Sequence, residues 1–175
     1  MTKKLILFSG GVESTALLTI AAPDDILITI NKVFSNSTPS FQKEFVDKVA
    51  LYFGKQTNYC TVEIPSNTQV FVHQIQYFFS VASLWVAKDP SITEVWNGTR
   101  NDEIPKNQNL FDRVTQSWDI MFPNVKFTSP LGHLTKQGHW NLIPEEIRPS
   151  VKSCTHAGAI CCCCQKCLEH KRLII

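Results

Sequence analysis

Residues 5–15 read LILFSGGVEST, a short wholly apolar run that ends in two glycines flanked by hydroxyl side chains. An apolar run of this length without polar alternation predicts a strand covered on both faces, here Leu5 to Phe8. From Glu13 to Ala22 the residues ESTALLTIAA suit a helix, stopped by Pro23 and the Asp24-Asp25 turn. A buried strand passing through a tight turn into a helix is half of a parallel strand-helix-strand unit. That constrains the fold more than any other stretch of the chain.

The pattern then repeats. Ile26 to Ile30 predicts a second strand, and Phe41, Phe45, Val46, Val49, Tyr52 and Phe53 fall at helical spacing with Gly54 closing that helix. A third strand is expected over Tyr59 to Ile64, and a long apolar helix over Phe71 to Ala87, ended by Asp89-Pro90. Glu94 to Trp96 predicts a fourth strand, Leu110 to Met121 a helix with Val114 and Trp118 on its apolar face, and Val125 to Thr128 a fifth strand. PLGHLTKQGHWNLIPEEIRP follows as a short helix and loop. Alternation of this kind implies an α/β fold, a doubly wound, mostly parallel five-stranded sheet. Ligands of such sheets bind at the carboxyl ends of the strands, where SGGVEST falls.

With 175 residues, 43% apolar and 18% charged, the chain is expected to bury one core without disulfides or metals. A net charge of +2 gives no argument for a nucleic-acid partner. MTKKLILFSGG is too short in apolar residues for a signal-peptide core, and no run approaches membrane-spanning length, so the expected location is cytoplasmic.

Between a buried strand and a helix, the turn can bind an anion. Glycines let backbone N–H groups approach an oxyanion with no Cβ in the way, and Ser9, Ser14 and Thr15 add hydroxyl donors. A plain strand-to-helix turn is the alternative. It is not a Walker loop, having no Gly-Lys-Ser/Thr, nor a dinucleotide fingerprint, its glycine spacing being wrong. SGGVES does resemble the PP-loop of ATP pyrophosphatases, Ser-Gly-Gly-x-Asp-Ser, with Glu13 at the aspartate position. The resemblance implies that Phe8, Ser9, Gly10, Gly11, Val12, Glu13, Ser14 and Thr15 bind the phosphates of ATP.

Six of the seven cysteines lie from Cys154 onward in CTHAGAICCCCQKC. Thiols crowded into one tail of a cytoplasmic chain suggest metal ligands rather than a disulfide framework. Cys154, Cys161, Cys164 and Cys167 give spacings of six, two and two residues, suited to a structural tetrahedral Zn²⁺. An iron–sulfur cluster and thiol redox chemistry are the competing readings, and His156 or His170 can replace one thiolate. The expected organisation is residues 1–150 as the nucleotide-binding domain and 151–175 as a zinc-binding segment packed on it.

Taken together, the turn and the C-x6-C-x2-C-x2-C tail resemble the 7-cyano-7-deazaguanine synthase family. QYFFSVASLWVAK, VWNGTRNDE and SPLGHLTK match its further segments in order, so the resemblance runs from about Leu5 to Lys171. It implies an ATP- and Mg²⁺-dependent ligase that joins 7-carboxy-7-deazaguanine and ammonia through an acyl adenylate, with a homodimer as the relatives' assembly. On that reading Glu13 orients Mg²⁺ or its waters and Lys136 neutralises phosphate charge. Arg100, Asn101 and Asp102 then face the deazaguanine. Two alternatives stay open. One is another adenylating enzyme of the PP-loop kind, for tRNA thiolation with Cys60 as its thiol, or for deazaguanine transfer. The other is a nucleotide- and zinc-binding module without turnover, suggested by Glu13 and by the absence of an aromatic-Gly-Gln and a Pro-x-Arg-Asn segment.

Overall fold

A computed structural model describes residues 2–34, 42–64, 74–103, 108–153 and 165–173 of the chain. Five strands, β1 (Lys3–Leu7), β2 (Ile26–Phe34), β3 (Thr57–Ile64), β4 (Ile92–Trp96) and β5 (Lys126–Thr128), form one sheet in the order β3-β2-β1-β4-β5. Every neighbouring pair is parallel. The chain is therefore an α/β, doubly wound, five-stranded protein, with β1 at the centre. Leu5 and Ile6 of that strand are completely buried, as an unbroken apolar run requires.

Helices cover both faces. On one side α1 (Val12–Leu18), α2 (Gln42–Tyr52) and α5 (Lys136–Leu142) enclose a core of Ile6, Phe8, Leu17, Leu27, Val49 and Trp140. On the other, α3 (Gln74–Lys88) and α4 (Gln108–Met121) pack on Leu5, Leu7, Ile28 and Val95. Alternate residues of β1 thus feed alternate cores, the two-residue period of a strand. Trp118 anchors the second core. It is fully buried against Phe79, Phe122 and Phe127, and its indole N–H donates to the Val125 carbonyl at 2.6 Å. Its duty is packing rather than base stacking.

Most boundaries shift by one or two residues, and three departures from the sequence expectation are larger. The first helix stops at Leu18 instead of Ala22. Thr19, Ile20 and Ala21 close it by donating three residues back, to the carbonyls of Ala16, Leu17 and Leu18, and Lys55 Nζ takes up the carbonyls of Ala22, Pro23 and Asp25 in the turn that follows. A side chain from beyond α2 thus holds the turn after this helix, a contact that local propensity does not encode. The second strand continues past Ile30 to Phe34 because β3 pairs with it as far as Phe34 opposite Ile64. A sixth helix, α6 (Gln165–Leu173), carries Cys167, the last of the cysteines, where sequence suggested only a metal-binding tail. Phe41 and Phe71 lie outside the described residues.

Among the described residues no helix is long and apolar enough to cross a membrane.

Candidate functional site

The first crossovers run from β1 outward to β2 and β3, and the chain then returns to pair β4 on the other side of β1. The switch point of the sheet is therefore at the carboxyl ends of β1 and β4, the position at which doubly wound sheets bind ligands. Two loops meet there, SGGVEST after β1 and Asn97–Glu103 after β4.

The first turn is tight because Gly10 takes φ +74°, a left-handed conformation that side chains disfavour. A Cβ there would also come within 2.9 Å of Val46. Its polar groups fold inward. Ser9 N donates to Ser14 Oγ at 3.1 Å, Gly11 N to Ser9 Oγ at 3.4 Å and Val12 N to Ser153 Oγ at 3.3 Å. These bonds lie at or beyond the long end of the usual N–H···O range, so hydroxyl oxygens satisfy the amides only loosely. The Ser9 and Ser14 hydroxyls lie 3.0 Å apart. Thr15 is fully buried, and its Oγ1 has no hydrogen-bond partner among the described residues. Phe8 ends the strand, donating to the Ile28 carbonyl at 2.8 Å and accepting from the Thr29 hydroxyl at 2.7 Å.

Asn97 organises the second loop. Its amide Nδ2 donates to the Thr128 carbonyl at 3.0 Å, while its Oδ1 accepts from Thr99 N at 3.0 Å and from Ser129 Oγ at 2.6 Å. One side chain thereby ties the ends of β4 and β5 together. Gly98 then passes directly over the first turn, where a Cβ would lie 3.1 Å from both Glu13 Cβ and Ser14 N. Asn101 N donates to the Gly132 carbonyl at 2.8 Å, joining this loop to PLGHLTK.

At that crossing three predicted residues come together. Arg100 Nη1 and Lys136 Nζ both lie 3.8 Å from Glu13 Oε1, an oxygen with no hydrogen bond among the described residues. All three side chains are at least 86% buried, with exposures of 10%, 9% and 14% respectively. Arg100 also contacts Asp102 and Glu103, each at 3.1 Å, and Lys136 donates to Glu169 of α6 at 2.9 Å. The result is a chain of alternating charge, Arg100–Glu13–Lys136–Glu169, and Asp102 and Glu103 bring the carboxylates to four against two cations. Burying cations is tolerable only with such pairing. The longer side chain of Glu13, compared with aspartate, carries its carboxylate out to both cations.

Asp102 sits on the rim, its side chain 70% exposed. Asn101 borders a cleft of about 580 Å³ along α4, which Gln108, Phe111, Asp112 and Thr115 also line. Gln116 and Asp119 complete the lining, which is thus amides, a hydroxyl, two carboxylates and one aromatic ring.

His139 is buried with Nδ1 2.9 Å from the Thr135 carbonyl, a structural contact, and His133 is exposed. Trp96 packs in the core and donates to Glu94 at 2.7 Å. Trp140 meets the His170 ring edge-on at 5.2 Å. Burial holds the His170 imidazole below the usual histidine range, repulsion from Lys152 and Lys136 adds to this, and Glu13 opposes it. Cys167 is buried on α6, one turn before His170. Cys154, Cys161 and Cys164 lie outside the described residues. Among the described residues no three His, Cys, Asp or Glu side chains converge on a metal position.

Sequence reasoning missed Asn97, Gly98, Glu103, Ser153 and Glu169. The Asn-Gly pair and the acidic end of VWNGTRNDE carried a signal for the first three. For Ser153 and Glu169 the sequence offered none, because only folding brings the end of the chain to its beginning.

Strand order and loop cluster together define a doubly wound α/β protein with a buried, charged site at its topological switch point. No family model matches the chain, and no curated protein matches it in sequence. Among solved structures, one described as a predicted subunit of tRNA methyltransferase from Methanocaldococcus jannaschii is 17% identical, with 81% of this chain and 74% of that chain covered at a TM-score of 0.45.

Proposed function

We propose that the chain is an ATP-dependent carbon–nitrogen ligase of the PP-loop kind. It converts 7-carboxy-7-deazaguanine and ammonia to 7-cyano-7-deazaguanine, or to the 7-amido intermediate. One observation carries the reading: Lys136 and Arg100 converge on Glu13 beside the Gly10-Gly11 turn, at the mouth where a phosphate chain would lie.

A carboxylate oxygen of the substrate attacks the α-phosphorus of ATP, and the bond to the β-phosphate oxygen breaks, releasing pyrophosphate. Ammonia then forms the carbon–nitrogen bond as AMP leaves. A second activation, at the amide oxygen, removes that oxygen and yields the nitrile. These steps need positioning and charge stabilisation more than a protein nucleophile. The loosely held amides of Ser9, Gly11 and Val12, with the Ser9 and Ser14 hydroxyls, fit the oxygens of pyrophosphate. Lys136 supplies positive charge to the leaving group. Glu13 fixes both cations and, with Mg²⁺ bound, would hold waters of that ion, while Arg100 holds Glu13 from the other side. Asn101 and the cleft along α4 seat the deazaguanine, with Asp102 at its rim.

Zn²⁺ fits the donor chemistry of Cys154, Cys161, Cys164 and Cys167, of which Cys167 is buried on α6. A four-thiolate site has no open position, so its metal would hold the tail in place rather than take part in the reaction. Residues 151–175 then form a segment bound to the domain of residues 1–150. A cytoplasmic homodimer acting on a small molecule belongs to the same reading.

Thiolation gains no support from Cys60, which lies in the middle of β3 and packs toward the α3 and α4 layer, away from α1. The deciding experiment supplies ATP, Mg²⁺, ammonium and 7-carboxy-7-deazaguanine, and follows AMP, pyrophosphate and the mass of the base. Formation of both nucleotide products together with the nitrile or amide is the expected result. ATP binding without AMP or pyrophosphate at saturating Mg²⁺ would instead mark a nucleotide-binding module.

A further inference from the structure

We infer that Glu169 is a positioning residue for Lys136, and that through it α6 sets the placement of the cation that faces the phosphate site. The inference rests on the proposed role of Lys136 for its consequence in catalysis, but not for its geometry. Lys136 occupies the first position of α5, where the positive end of the helix dipole disfavours a cation. Its side chain is nonetheless 9% exposed, and its flexible four-carbon stem has no preferred direction of its own. Something must hold the ammonium in place. Glu13 lies 3.8 Å away and offers the same oxygen to Arg100, so its attraction is divided. Glu169 accepts a hydrogen bond at 2.9 Å and is the nearer counter-charge. Attraction grows as separation shrinks, so the position of Glu169 decides where the ammonium rests.

Glu169 stands two residues after Cys167 on the same short helix, and both face inward enough to be buried or half-buried. Any displacement of α6 is therefore transmitted to Lys136 by one hydrogen bond. The end of the chain acts on the beginning without touching substrate.

Glu169→Gln keeps the shape and a hydrogen-bond acceptor but removes the charge, Glu169→Ala removes both, and Glu169→Asp keeps the charge at shorter reach. Glu145→Gln, at an exposed glutamate paired with Arg148, is the control. The first readout is the rate at which an amine-reactive reagent modifies Lys136, followed by peptide mass spectrometry on the folded full-length protein. Lys136 should be protected in the parent protein and the control. In Glu169→Ala and Glu169→Gln it should be modified about tenfold faster or more, the misplacement expected when a fixing contact is lost. The second readout is pyrophosphate release, where kcat should fall by about tenfold to a hundredfold with KM for ATP little changed, and Glu169→Asp should recover part of the loss.

Unchanged modification of Lys136 in a cooperatively folded Glu169→Gln protein overturns the inference, as does faster modification with unaltered kcat. If the parent protein itself makes no pyrophosphate while Lys136 is still released in the variants, the positioning role stands and the ligase reading fails. Should Glu169→Ala not fold, the isosteric Glu169→Gln decides the matter alone.

Discussion

Lys136 Nζ and Glu13 Oε1 lie 3.8 Å apart, one at the start of α5 and the other in the first turn of α1. These two helices pack side by side on the same face of the sheet, and Trp140 and Leu17 share their core. Rigid packing behind the pair fixes it in front. Two groups from distant parts of the chain thereby act on one point, the mouth of the turn after β1. Arg100 reaches the same oxygen from the β4 loop, so the site takes one charged group from each of three elements.

Lys136→Met removes the positive charge offered to the leaving phosphate. Pyrophosphate release should fall by about a hundredfold to a thousandfold, as for loss of a preorganised charge-stabilising group. Steady-state kinetics measure this, and ATP binding by calorimetry should weaken less than kcat does. Equal losses in both would assign the lysine to ground-state binding.

Gly98→Ala tests the crossing of the two loops. The added methyl would sit 3.1 Å from Glu13 Cβ and from a backbone nitrogen in the first turn, so the loops must separate. A loss of about 1–3 kcal/mol in urea unfolding is expected from overpacking, together with slower pyrophosphate release. Parent-like stability and activity would show that the loops have freedom to part.

Trp118→Ala tests the far core without touching the site. Deleting a fully buried indole wedged among Phe79, Phe122 and Phe127 should cost about 3–5 kcal/mol in chemical denaturation. Folded Trp118→Ala protein should keep its affinity for ATP at low temperature.

Tyr59 and Asp47 give the stability a predictable dependence on pH. The Tyr59 hydroxyl donates to Asp47 Oδ1 at 2.6 Å, and burial together with that carboxylate raises the phenol well above its ordinary value of 10.0. A raised acid binds more protons folded than unfolded, so its contribution is complete below pH 10.0 and is lost as pH rises through the folded value. Asp47 is lowered from 3.8, the hydrogen bonds from Lys43 and Tyr59 and the Lys43 charge outweighing the opposing burial, so its share is lost as pH falls below that value. The stability difference between parent and Tyr59→Phe should therefore be flat at neutral pH and shrink at both extremes. A difference that stays constant from pH 3 to 11, on the scale of the ordinary carboxylate and phenol ranges, would remove the pairing.

Metal analysis addresses the tail. Protein purified under reducing conditions should carry about one Zn²⁺ per chain, with Cys167→Ser losing it, as four-thiolate coordination requires. Chelation should also slow pyrophosphate release if α6 depends on that metal for its place. Thiols that are bare in the reduced protein, or an iron–sulfur absorption spectrum, would overturn the zinc assignment.

The sequence by itself determined the layered α/β plan. The unbroken apolar run Leu5–Phe8 could satisfy its side chains only between two helical layers, and the alternation that follows could close only as a parallel sheet. It also determined the turn, because Gly10 allows a left-handed backbone path that other residues resist. Tertiary structure alone decided how the turn after the first helix is held, since Lys55 reaches the carbonyls of Ala22, Pro23 and Asp25 from beyond α2. Structure likewise decided that Arg100 and Lys136 converge on Glu13 and that Glu169 pairs with Lys136. Local pattern encodes the path of each segment, whereas a charge cluster depends on which segments meet. That meeting is fixed by the packing of whole helices on the sheet, which no short stretch of sequence contains.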